Sequence, residues 1–265
     1  MTEKEKKHHG FPGESLGLKG RELISLVGAG GKTTLMFRLA SDLSSEGKKV
    51  VTTTTTKILE PSPEESPLLI VHGDEATLKQ SVISRLSQCR HMTIASERLG
   101  EGKLKGISTS LVDELWGLDE VDYLIVEADG ASGRPIKAPR EKEPVIPSAT
   151  TLVVAILGVD GEGKELNATN AFQPERISRI TGIPMGEKVT DEAMAVLMTD
   201  PEGIVKGVPP AARVIVFLNK VDLRDGLVKG RRIGQKIIER RRPQIERIIL
   251  GQLRTQPAVA EVIFP

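Results

Sequence analysis

A glycine-rich run, Gly28-Ala29-Gly30-Gly31-Lys32-Thr33-Thr34, follows the apolar stretch Leu23-Ile24-Ser25-Leu26-Val27. Glycines accept positive φ at little steric cost, so such a run turns tightly and aims successive backbone N–H groups at one anion. Where the run feeds a helix, the positive end of the helix dipole adds to those donors. The chemistry that fits is phosphate binding, with Lys32 on the terminal phosphates and the hydroxyl of Thr33 on Mg²⁺. A second group, Glu127-Ala128-Asp129-Gly130, ends the apolar run Val121 to Val126. Period-two spacing puts Glu127 and Asp129 on one side, where both can address a metal ion or orient an attacking water. A third, Asn219-Lys220-Val221-Asp222, ends the apolar run from Arg213 to Leu218. The Asp222 carboxylate can accept from the ring N–H and exocyclic amine of guanine, with Asn219 on the opposite edge and Lys220 over the base. Adenine lacks that paired donor edge, a mismatch costing about 1–3 kcal/mol.

The glycine run departs from the Walker A pattern, because Leu26 stands where that pattern needs its first glycine. What remains is GxxGKTT, two residues shorter and similar to the loop of the Mur ligases. The NKxD pattern of Asn219 to Asp222 resembles that of GTPases. Five threonines, Thr52 to Thr56, then Lys57, follow a strand-like segment from Lys49. They are expected at a C-terminal strand end beside the glycine loop, with Thr54, Thr55 and Lys57 sensing the γ-phosphate. Arg134, Lys137 and Arg140 lie in a segment broken by Pro135, Pro139, Pro144 and Pro147. That segment is too long for an idle connection and reads as an active-site or partner loop, whose cations either stabilise transferring phosphate or are simply solvated.

The elements that must position these groups are apolar runs of Val, Ile and Leu in a chain poor in aromatics, the composition of strands covered on both faces. The expected fold class is α/β, a three-layer P-loop NTPase-like arrangement with a mainly parallel central sheet flanked by helices. Residues 1–20 read as a loosely ordered tail, with His8 and His9 solvated, and residues 21–265 as one domain. Helices are expected from about Lys32 to Glu46, from Asp74 to Ser87, after a Ser108 or Ser110 cap, from Phe172 to about Thr181, and from near Thr190. Gly100 to Gly106 reads as a hairpin turn or mobile loop. The basic amphipathic segment around Arg231, Arg232, Lys236 and Arg240 reads as a solvated helix face. A formal net charge of +1 supplies no global field to recruit nucleic acid or an anionic membrane. The single Cys89 excludes an internal disulfide, and a charged N-terminal segment is no signal peptide, so the cytoplasm is the expected compartment.

Four blocks then carry a resemblance: LISLVGAGGKTT (Leu23 to Thr34), VVTTTTTKI (Val50 to Ile58), YLIVEADGASGRPIKAPREKEPVIP (Tyr123 to Pro147) and VIVFLNKVD (Val214 to Asp222). Together they resemble the selenium-dependent hydroxylase accessory proteins of the YqeC type. The resemblance implies a nucleotide-binding protein associated with maturation of molybdenum-containing hydroxylases, and as partners such a hydroxylase or its cofactor-maturation proteins. Three chemistries stay open at this point. One is an Mg²⁺-dependent NTPase using GTP (or ATP), and another an ATP-dependent small-molecule kinase or ligase. The last is a non-hydrolysing module that uses nucleotide to set its shape.

Overall fold

The computed structural model describes residues 12–265. His8 and His9 lie outside the described residues. In chain order the elements are α1 (Pro12–Ser15), β1 (Glu22–Gly28), α2 (Lys32–Ser45), β2 (Val50–Thr54), β3 (Lys57–Leu59), β4 (Leu69–Val71), α3 (Glu75–Arg85), β5 (His91–Ala95), β6 (Glu97–Leu99), β7 (Lys103–Lys105), α4 (Thr109–Trp116) and β8 (Tyr123–Glu127). There follow β9 (Ile136–Lys137), β10 (Leu152–Gly158), a 3₁₀ turn (Val159–Gly161), β11 (Ala171–Phe172), α5 (Pro174–Thr181), α6 (Asp191–Thr199), β12 (Arg213–Asn219), α7 (Gly226–Glu239), β13 (Ile245–Gly251) and β14 (Val259–Ile263).

The apolar runs form one nine-stranded sheet in the order β14-β13-β12-β10-β1-β8-β2-β5-β4. Every pairing in it is parallel except β13 with β14. Strand alternation divides the core between two faces. Leu152, Val154 and Ile156 of β10 pack with Ile24 and Leu26 of β1 beneath Leu35, Leu39 and Leu43 of α2. Val153, Ala155 and Leu157 point the other way, into the layer that includes Ile177 of α5, Met194 of α6 and Ile233 of α7. The three-layer α/β fold with a mainly parallel sheet is therefore present, and β1 lies near its middle. Caps start the helices where side chains supply acceptors: Asp74 accepts from the Thr77 N–H at 2.9 Å, Ser108 from Leu111 at 3.1 Å and Thr190 from Ala193 at 3.1 Å. Among the described residues no helix is long and apolar enough to cross a membrane.

Four segments depart from the expectation or sharpen it. Residues 12–20 are not loose: α1 is followed by Leu16, which is fully buried. Apolar burial holds the chain there ahead of β1. Gly100 to Gly102 form the expected hairpin turn, joining β6 to β7, and the hairpin pairs with β3 into a separate three-stranded antiparallel sheet and takes Lys57 with it. Strand β8 lies between β1 and β2, so the threonine run is one strand removed from the glycine loop. The basic face of α7 is exposed but paired, with Arg231 on Glu261, Arg232 on Glu162, and Lys236 and Arg240 on Glu192. Exposed pairs of this kind contribute at most about 1 kcal/mol each.

Burial of polar groups also sets a pH dependence. His91 at the start of β5 is 3% exposed, with Nε2 3.1 Å from Thr52 Oγ1. Burial lowers its pKa from 6.5 to about 4. The unfolded chain therefore takes up a proton in a window where the folded chain does not, and stability falls as pH drops from about 6.5 toward 4. The loss attributable to this group is about 3 kcal/mol. Urea unfolding at pH 7 and at pH 4.5 checks it: His91→Gln should lose markedly less stability between the two than the wild-type protein.

Candidate phosphate-binding site

The site begins where β1 ends. Gly28, at φ +100°, donates its N–H to Asp129 Oδ2 at 3.0 Å and Oδ1 at 3.2 Å. Ala29 donates to the Ile156 carbonyl at 2.8 Å, fastening the loop to β10. Gly30 and Gly31 have φ +84° and +152°. A Cβ on Gly30 would stand 2.7 Å from the Gly158 nitrogen, and one on Gly31 would strike the Asn219 amide. Gly31 immediately precedes α2 and brings no side-chain acceptor to the first amides of that helix. Those N–H groups, lacking intrahelical partners, are the donors an anion can use.

Register brings the carboxylates to the loop. Leu26 of β1 pairs with Glu127 of β8, so Glu127 and Asp129 stand beside the turn into α2. Lys32 is 5% exposed. Its Nζ donates to the Gly28 carbonyl at 2.7 Å and pairs with Asp129 at 3.2 Å and Glu127 at 3.6 Å. Burial penalises the Lys32 cation, but Asp129 and then Glu127 outweigh it and hold its pKa above the ordinary value. Burial likewise pushes the Glu127 carboxyl up, against the opposing pull of Lys32 and the Thr33 hydroxyl. Among the described residues Glu127 is paired with one cation, Lys32, whereas Asp129 is paired with two, Lys32 and Lys137.

That difference bears on a divalent metal. Thr33 Oγ1 lies 2.7 Å from Glu127 Oε2, close to the roughly 3 Å that separates adjacent ligands around an octahedral Mg²⁺ with bonds of about 2.1 Å. A hydroxyl and a carboxylate fit such an ion. Asp129 does not fit. It is fully buried, and its oxygens already serve Gly28, Lys32 and Lys137. Both carboxylates are expected to address one metal; in the structure Glu127 stands against the Thr33 hydroxyl, and Asp129 is fully buried against the Gly28 amide. Among the described residues no cluster of three or more His, Cys, Asp or Glu could hold a metal. An Mg²⁺ bound through one carboxylate, substrate phosphates and waters needs none.

The remaining expected residues separate into those the fold brings in and those it does not. Asn219, at the end of β12, donates from Nδ2 to the Gly30 carbonyl at 2.7 Å and accepts at Oδ1 from the Leu253 N–H at 3.1 Å. It fastens the glycine loop to the segment after β13. Lys220, at φ +70°, pairs with Asp160 at 2.9 Å, and Asp222 is exposed. Thr34 lies in the first turn of α2. Thr54 gives its hydroxyl to the Glu127 carbonyl at 2.6 Å and Thr55 to the Val145 carbonyl at 2.7 Å. Both are spent on protein partners, so Thr54 positions Glu127 from behind. Lys57 is exposed in β3. Strand β8 lies between these two threonines and the glycine loop, so they stand one strand away from it.

Replacing Asn219 by alanine should cut both of its links at once. About 1 kcal/mol per lost bond is the expected scale, more where a buried partner stays unsatisfied. Thermal unfolding of Asn219→Ala against Asp222→Ala checks this, since only the former loses a structural tie.

Lys137, expected as a phosphate-stabilising or solvated cation of the proline-punctuated loop, is neither solvated nor open to a ligand. Lys137 is fully buried in β9, donating to Asp129 Oδ2 at 2.7 Å and the Gly130 carbonyl at 2.6 Å, with Glu143 Oε2 at 3.4 Å. The local signal for its burial is its place between Ile136 and Ala138, both of which the fold buries.

A model of the YqeC protein family matches residues 24–175. The uncharacterized protein YqeC of Escherichia coli (strain K12) is 31% identical over 238 residues, covering 90% of this chain and 90% of that one. Among solved structures, the signal recognition particle 54 kDa protein of Aeropyrum pernix K1 in complex with GDP overlaps with a TM-score of 0.37 at 15% identity. That overlap covers 92% of this chain and 44% of the other. The family match over more than half of the sequence, and the relative aligned along nearly all of it, agree: this chain belongs to the YqeC family.

Proposed function

We propose that this protein binds a nucleoside triphosphate with Mg²⁺ at the C-terminal edge of its sheet and hydrolyses it. The observation that carries the reading is the meeting of Lys32, Thr33 and Glu127 in front of uncapped helix amides. In this reading the loop from Gly28 to Thr34 cradles the phosphates and Lys32 contacts their terminal charge. Thr33 and Glu127 hold Mg²⁺, which supplies charge neutralisation at the phosphates when bound. Asp129 keeps the Gly28 amide in place. Catalysis rests on positioning and electrostatics, as phosphoryl transfer does generally.

GTP is the proposed nucleotide, because Asp222 ends the Asn219-Lys220-Val221-Asp222 pattern with an exposed carboxylate free to meet a base edge. The resemblance to the selenium-dependent hydroxylase accessory proteins implies a setting for this activity, an accessory role toward a molybdenum-containing hydroxylase or its cofactor-maturation proteins. The kinase or ligase alternative needs an acceptor site, and the cations of the proline-punctuated segment that could bind one have other contacts. Arg134 donates to the Ala168 carbonyl at 2.9 Å, Lys137 is buried, and Arg140 lies 4.8 Å from the Phe172 ring centroid. Two measurements test the reading. Phosphate release should occur in buffer with no acceptor added. Asp222→Asn should lower the preference for GTP over ATP by about tenfold, the scale of one mismatched edge. An unchanged preference would remove the base assignment, and phosphate release only with an acceptor would restore the kinase.

A further inference from the structure

Asp129 is flanked by two lysines. Lys137 Nζ is 2.7 Å from Oδ2 and Lys32 Nζ is 3.2 Å from Oδ1. The two cations differ in what else they are asked to do. Lys137 sits in β9, wholly enclosed, with the Gly130 carbonyl and Glu143 as its further partners and the Phe172 ring centroid 5.4 Å away. Lys32 stands on the glycine loop, and to reach a phosphate it must leave Asp129, Glu127 and the Gly28 carbonyl. Without another cation its departure would strand a fully buried carboxylate, which is strongly unfavourable. Lys32 would then stay with Asp129 and bind phosphate poorly.

We infer that Lys137 is a standing countercharge for Asp129, which frees Lys32 to exchange its carboxylate partners for a nucleotide phosphate. The inference rests on the phosphate-binding reading of the loop. Lys137 touches no part of the proposed ligand and acts through Asp129, as a positioning residue. It also ties the proline-punctuated segment, whose β9 pairs with β11, to the carboxylate that holds the glycine loop.

The test compares the wild-type protein with Lys137→Gln, Asp129→Asn and the double variant Asp129→Asn/Lys137→Gln. Mg²⁺-GTP binding is followed by calorimetry, and acylation of Lys32 by acetic anhydride by peptide mass spectrometry without nucleotide. With the charge at 137 removed, Lys32 is held by Asp129. GTP affinity should fall at least tenfold and Lys32 should acylate at least threefold more slowly. In the double variant no buried anion remains at 129, and both quantities should recover to within about threefold of wild type. Mere loosening of the site would move acylation the other way, making Lys32 faster to react. Wild-type affinity and wild-type acylation in Lys137→Gln would overturn the inference, as would losses in the double variant equal to the sum of the single ones. If Lys137→Gln alone fails to fold while the double variant folds, the uncompensated Asp129 is the cause, as inferred. If both fail, the pair serves the fold and the inference falls. Failure of the wild-type protein to bind GTP or ATP would defeat the nucleotide reading instead, and the acylation comparison would still decide the role of Lys137.

Discussion

Lys32→Ala should lose nucleotide affinity by about 100-fold or more. In the proposed site the lysine supplies a charge-assisted contact to phosphate, stronger than a neutral hydrogen bond, and two further cations of the site are already engaged. Lys137 is enclosed against Asp129, and Lys220 is held by Asp160. The fold should survive the change. Asp129 keeps Lys137 and the Gly28 amide, and Glu127, already raised by burial, can take a proton in place of the lost cation. Circular dichroism and thermal unfolding near those of wild type, alongside an affinity lowered at least 100-fold, are the expected pair of results. Undiminished affinity would remove Lys32 from the phosphate site.

Gly28→Val should be the most damaging single substitution in the loop. Gly28 has φ +100°, and a Cβ there would collide with the Ile156 carbonyl of the neighbouring strand. Backbone strain at positive φ costs about 1–3 kcal/mol for a side-chain-bearing residue. The collision and the displaced bond from the Gly28 amide to Asp129 add to that. A loss of about 3 kcal/mol or more in urea unfolding is expected, together with loss of nucleotide binding. Gly163→Ala is the matched control. Gly163 has φ +84° but open space where its Cβ would stand, so only the conformational cost should appear, about 1 kcal/mol. Equal losses at the two positions would mean that strain alone, and not the close approach of β1 to β10, governs the loop.

Local features of the site were readable because each is written in consecutive residues. Leu23 to Val27 is a strand, glycines follow, and Leu35, Leu39 and Leu43 recur at helical spacing, so the strand, loop and helix follow from a short stretch of chain. Glu127 was legible as a carboxylate ending a buried run. What pairs with what was not, because a parallel sheet joins strands distant in sequence and its order is set by crossovers. The threonine run shows the consequence. Its residues suit a strand end beside a ligand, yet the insertion of β8 between β1 and β2 turns Thr54 and Thr55 inward to backbone carbonyls. Asp129 and Lys137 show another limit. Spacing puts Glu127 and Asp129 on one side, but only the arrival of β9, positioned by its pairing with β11, gives Asp129 a buried lysine and a different task from Glu127. Asn219 lies between the two cases: its strand-end position was legible, and its bond to the Gly30 carbonyl was not.

In the proposed function the edge formed by β1, β8 and the start of α2 binds a nucleotide through phosphate and Mg²⁺. Calorimetric titration of the full chain with GTP and with ATP, each with and without Mg²⁺, tests it most directly. Saturable binding that strengthens at least tenfold with Mg²⁺, favours GTP and disappears in Lys32→Ala is the predicted result. Absence of binding by either nucleotide at millimolar concentration with Mg²⁺ present, or binding that Lys32→Ala leaves unchanged, would contradict it.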